Sequence, residues 1–138
     1  APATRTSTRF PILPADGLRG SYLQTTTFTN GTVLPGKVLA ANTYCLRTGD
    51  RCMSLFHADG GAVTLIFADD KWTRNEKGTT TCAAGGTAQA TITAEYPLPA
   101  DMNDPIAQLI GRGTQAIAPG GACTGGGDFE DKFERTGD

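Results

Sequence analysis

The chain has 138 residues, 12 basic and 14 acidic side chains, a net charge of −2 and 38% apolar residues. That length suits one domain with a single core. The near-balanced charge gives no electrostatic footprint for nucleic acid, and no run of ~18 apolar residues reads as a membrane-spanning helix.

The chain opens Ala1-Pro2-Ala3-Thr4 without an initiator Met, as a trimmed or mature product would. Residues 1–16 are rich in Pro and Thr and lack periodicity. They read as a linker or stalk, or as an edge segment carried by Phe10, Ile12 and Leu13; the single domain is then 17–138. Over 18–28 a strand is expected, with Leu18, Gly20, Tyr22, Gln24, Thr26 and Phe28 on one face. Asn30-Gly31 follows as a hairpin turn signal; it also belongs to an Asn-Gly-Thr sequon, for which the turn is sufficient reason.

Strands are expected at 38–46 and 51–57, then a turn at Asp59-Gly60-Gly61. The apolar run 62–68 reads as a central strand. Asp69-Asp70 turns the chain, and 71–74 returns. The cleanest period of two lies at 87–96, with Ala88, Ala90, Ile92, Ala94 and Tyr96 facing one way. Those alanines either leave room for a cavity or pack closely. Asp104-Pro105 followed by Ile106, Leu109 and Ile110, with Gly111 as a stop, predicts a short helix at 105–110. A strand at 112–118 and a glycine-rich loop at 119–127 follow. Phe129 and Phe133 in the last segment fit a helix face or a strand face, and a strand would close the sheet. The expected fold is all-β with minor α: an antiparallel meander of seven or eight strands, curled into a barrel or split into a sandwich.

Four cysteines stand at 45, 52, 82 and 123. A hairpin centred on Thr48-Gly49-Asp50 places Cys45 opposite Cys52, within disulfide reach, which leaves Cys82 for Cys123. Four free thiols or a metal site are the alternatives, but no C-x₂₋₄-C knuckle is present. Disulfides imply an oxidising compartment.

Little in the sequence points to catalysis. The single His57 sits on a strand face with Met53 and Leu55, and a triad needs a base beside a nucleophile. The acidic groups at Asp101/Asp104 and Asp128/Glu130/Asp131/Glu134 lack the spacing of a calcium loop and read as solvated charge. No phosphate-cradling glycine pattern occurs, and no metal or cofactor site is expected. Tyr22 and Trp72 are candidates for contact with a ligand.

The motifs LRGSY at 18–22, Tyr44-Cys45…Arg51-Cys52, LIFADDKW at 65–72, DPIAQLIGRG at 104–113, Cys123 and the ending DFEDKFERTGD at 128–138 resemble, in order and spacing, the C-terminal extracytoplasmic domain of mycobacterial receptor-type Ser/Thr protein kinases. The likeness spans roughly residues 17–138. It implies a non-catalytic sensor domain on the outer face of the plasma membrane, preceded by a kinase domain and a transmembrane helix outside this chain. Its signal would pass through a homodimer formed at a sheet edge or face, or through an extracytoplasmic ligand or protein. It also implies the same two disulfides. A free-standing secreted ligand-binding domain, or an inhibitor presenting loop 97–104 or 119–127, is the alternative.

Overall fold

A computed structural model of the protein describes residues 17–47, 51–58, 61–82, 84–100 and 105–138. The proposed stalk at 1–16, the centre of the Thr48-Gly49-Asp50 turn, the turn residues 59–60, and Asp101 and Asp104 lie outside the described residues.

The described residues form eight strands: β1 (Gly20–Phe28), β2 (Lys37–Cys45), β3 (Cys52–Ala58), β4 (Gly61–Ala68), β5 (Lys71–Thr81), β6 (Thr87–Pro97), β7 (Gln108–Ile117) and β8 (Gly126–Gly137). Each pairs antiparallel with the next, and β8 returns to pair with β1, which closes an up-and-down barrel. A sandwich is thereby excluded. Closure satisfies the outer hydrogen-bonding edges that an open meander would expose.

Turn chemistry explains several connections. Gly31 has φ 95°, a conformation that glycine adopts without penalty, and its amide donates to Phe28 O at 2.9 Å. Asn30 Oδ1 accepts from the Thr32 amide at 2.9 Å. Asp69 and Asp70 both take positive φ, at 55° and 61°, as the tight hairpin turn between β4 and β5 requires.

The helix expected at 105–110 is absent. Residues 105–107 are irregular, and Gln108 to Ile110 begin β7. Leu109, Ile110 and Gly111 fit a helical stripe, but they fit a strand equally well. β7 gains ladders to β6 and to β8 at once, which a short helix could not replace. The run 62–68 is the strand expected, within β4: Val63, Leu65 and Phe67 point inward, while Ile66 is exposed. A barrel strand has one interior face only. The ending at 128–138 is a strand, with Phe129, Asp131 and Phe133 inward.

One end of the barrel is packed solid. Trp72, Tyr22, Tyr96, Phe56, Phe133, Leu18, Leu65, Ile106 and Leu109 are fully buried there. Phe56 stacks on Phe133 at 4.4 Å between centroids, and Tyr22 meets Phe56 edge-on at 5.5 Å. The segments at 17–18 and 105–107 cross this base and are tied together. Ile106 N donates to Gly17 O at 2.8 Å, and the Tyr22 hydroxyl donates to Ile106 O at 2.6 Å. No helix among the described residues is long and apolar enough to cross a membrane.

Both disulfides form as the spacing suggested. Cys45–Cys52 joins directly opposed residues of β2 and β3 at the base, with Cα atoms 4.0 Å apart. Cys82–Cys123 joins the β5–β6 and β7–β8 connections at the opposite end, with Cα atoms 5.9 Å apart. Such bonds suit an oxidising, extracytoplasmic environment.

Candidate functional site in the barrel mouth

Above the packed base the barrel opens. The alternation that points Tyr22 into the core also points Gln24, Thr26 and Phe28 inward further along β1. The same holds for Arg74 and Glu76 after Trp72 on β5, and for Phe129 on β8. Together with Leu39, Val63, Ile92, Gln115 and Ile117 they line a cavity of about 780 Å³. Leu34, Pro35 and the Cys82–Cys123 bridge form its rim. This volume is in the range of ligand pockets.

The floor is polar and ordered. Asp131 is wholly buried. Its carboxylate accepts from Gln24 Nε2 at 3.1 Å, Thr26 Oγ1 at 2.9 Å, Tyr96 OH at 2.6 Å and Arg74 Nη1 at 3.3 Å. Four donors thus converge on the oxygens of one carboxylate. Arg74 also donates through Nη2 to Glu76 Oε1 at 3.0 Å. Burial works against the Arg74 charge, but the Glu76 hydrogen bond and the neighbouring Tyr96 and Asp131 outweigh it and hold the guanidinium above its ordinary pKa. Burial, and then the charge and hydrogen bond of Asp131, drive the Tyr96 phenol far above its usual value. Burial likewise raises Tyr22.

Glu76 stands where the wall changes. The β4–β5 ladder has three pairs, Ile66–Ala68 with Thr73–Lys71. Beyond it, the Thr64 amide reaches Glu76 Oε2 at 3.4 Å, so a side chain spans the seam where backbone pairing has ended.

The sequence candidates lie elsewhere. Tyr22 and Trp72 belong to the packed base, where Trp72 meets Phe67 at 4.7 Å between centroids; neither lines the cavity. His57, near the mouth end of β3, points outward. Asp128 and Glu130 are exposed, with Thr114 and Arg112 as partners. Ala88, Ala90 and Ala94 are buried. A side chain at Gly121 would meet Ala88, and one at Gly113 would meet Ala94, so Ala88 and Ala94 are close-packed against glycine. Among the described residues no three metal-ligating side chains gather. Sequence reasoning missed Asp131, Arg74 and Glu76. The signal was there: Asp131 lies two residues from Phe129 and from Phe133 on an alternating strand, and Arg74 and Glu76 continue the face of Trp72.

The outer wall carries one apolar row. Tyr44, Met53 and Ile66 are directly opposed across β2, β3 and β4, and all three are exposed, as is nearby Leu46.

No protein-family model, curated protein or solved structure matches this chain.

Proposed function

We propose that this chain is a non-catalytic, extracytoplasmic binding domain that takes a small amphipathic molecule into the mouth of its barrel. The observation that carries this reading is the asymmetry of the interior. One half is packed solid, while the other is an open, apolar-walled cavity over an ordered charged floor. Small-ligand sites combine a mostly apolar wall with a few fixed polar groups in this way, often in the mouths of β-barrels. The attachment of this domain to a transmembrane Ser/Thr protein kinase, as its sensor, rests on the motif order at 18–22, 44–52, 65–72, 104–113 and 128–138 alone. In that setting the bound molecule is the signal. The non-catalytic reading is supported by His57 facing outward from the barrel and by four cysteines held in disulfides.

The test is binding of N-phenyl-1-naphthylamine, a neutral probe whose emission rises in apolar surroundings, to the wild type and to Gln115→Trp. Gln115 lines the mouth, and an indole there fills it. Saturable binding by the wild type that is lost in a folded Gln115→Trp supports the reading. Equal binding by both places the probe elsewhere and overturns it.

The Tyr44–Met53–Ile66 row favours a second reading, sensing by self-association. Closure pairs β1 with β8, so this reading uses an outer face. Met53→Glu then converts dimer to monomer in light scattering across a concentration series. A wild type that is monomeric throughout excludes it.

A further inference from the structure

We infer that the molecule taken into the barrel mouth carries a positively charged group, an ammonium or a guanidinium, on an apolar body; this inference rests on the cavity-binding reading above. The floor holds two carboxylates, Asp131 and Glu76, against one guanidinium, Arg74. They do not play equal parts. Asp131 lies beneath, with its oxygens taken up by Gln24, Thr26, Tyr96 and Arg74. Glu76 is two residues nearer the opening on β5, so an incoming molecule meets it before Arg74. Its Oε1 is engaged by Arg74, but its Oε2 has one long contact, from the Thr64 amide at 3.4 Å. The side chain retains 28% of its exposure. A carboxylate oxygen has more acceptor capacity than that single contact uses.

The surroundings sharpen the preference. Register places Ile92 opposite Glu76 and Gln115 opposite Ile92. A carboxylate, an apolar side chain and a carboxamide therefore follow one another around the inner wall. Phe28 and Phe129 pair at 5.7 Å between centroids and offer an apolar surface to the rest of the molecule. An uncompensated negative charge in an apolar concavity attracts a cation and repels an anion more strongly than it would in water. Lys37, the other charged residue lining the cavity among the described residues, is exposed at the rim, where solvent screens it. The cation enters first and donates to Glu76 Oε2, and the apolar body lies against Phe28, Phe129 and Ile92.

Three probes of equal chain length separate this inference from the reading beneath it: n-decylammonium, n-decanol and n-decanoate. Each is titrated below its micelle-forming concentration into the disulfide-intact protein by calorimetry. The expected order is decylammonium tightest, decanol next and decanoate weakest, with about tenfold or more between the two ions. In Glu76→Gln the ammonium loses its advantage over decanol, and the two bind alike. Decanoate binding as tightly as decylammonium overturns the cationic assignment but leaves the cavity in place. An ammonium preference that persists in folded Glu76→Gln overturns the role of Glu76. Failure of all three to bind the wild type overturns the cavity reading and this inference with it. The wild-type comparison decides the ligand charge even if Glu76→Gln does not fold.

Discussion

The hydroxyl of Tyr96 donates to Asp131 Oδ2 across 2.6 Å, and Arg74 Nη1 reaches the same oxygen at 3.3 Å. Three strands, β5, β6 and β8, thus converge on one buried carboxylate, with β1 joining through Gln24 and Thr26. A buried pair of this kind adds little over an apolar replacement of the whole network, but removing one partner leaves an uncompensated charge.

Asp131→Ala is therefore expected to cost about 3–5 kcal/mol, read from urea unfolding of the oxidised protein. A loss below about 1 kcal/mol, the scale of an exposed pair, would contradict the placement of this group at the barrel centre.

Alkaline pH offers an independent check. Tyr22 and Tyr96 have pKa values raised above the ordinary 10.0 by burial. Above that value the unfolded chain releases these protons while the folded one keeps them. Stability is thus full below pH 10 and falls as pH rises through the window above it. Each tyrosine contributes a slope of up to about 1.4 kcal/mol per pH unit. Tyr96→Phe removes one such slope, and unfolding midpoints measured from pH 9 to 11 would show the flatter dependence.

The two disulfides should separate in function. By loop entropy, losing Cys82–Cys123, 41 residues apart, costs roughly 4 kcal/mol, and losing Cys45–Cys52, 7 apart, roughly 2.5. The first stands at the mouth and the second at the base. Paired Cys→Ser replacement at 82 and 123 is expected to weaken probe binding as well as stability. The same change at 45 and 52 lowers stability and spares affinity.

Gly111 lies inward on β7, where a Cβ would fall on the ring of Tyr96 and on Glu95 O. Gly111→Ala must displace a side chain that holds Asp131. A cost of about 1–3 kcal/mol is expected from overpacking, with Gly111→Val costing more. A neutral Gly111→Ala would show that the Tyr96 ring can move freely.

Strand alternation was legible wherever turn signals framed it. Residues 87–96 and the Asp69-Asp70 turn behave as their sequence indicates, and the opposed pair Cys45/Cys52 follows from hairpin spacing. The failure at 105–110 has a specific cause: Asp-Pro followed by Ile106, Leu109 and Ile110 satisfies helical and strand periods over so short a stretch, and only pairing on both sides of β7 decides. Ring closure itself depends on β8 finding β1, a contact between chain ends that no local pattern encodes. The site was hidden for a similar reason. Asp131 reads as one of four acidic residues near the end of the chain; alternation with Phe129 and Phe133 marks it as inward, but its partners Gln24, Arg74 and Tyr96 come from three other strands. The cavity comes from residues further apart still, because Gly113 and Gly121 absorb the space that the alanines of β6 seemed to leave.

On the proposed reading, ligand enters the open half of the barrel. Amide chemical shifts of the ¹⁵N-labelled, oxidised protein during titration with n-decylammonium test it most directly. The expected changes cluster at Thr26, Val63, Glu76, Ile92, Gln115 and Phe129, while Tyr44, Met53 and Ile66 on the outer wall and Trp72 in the base stay still. Changes confined to Tyr44, Met53 and Ile66 would contradict the account and make the outer row the binding surface.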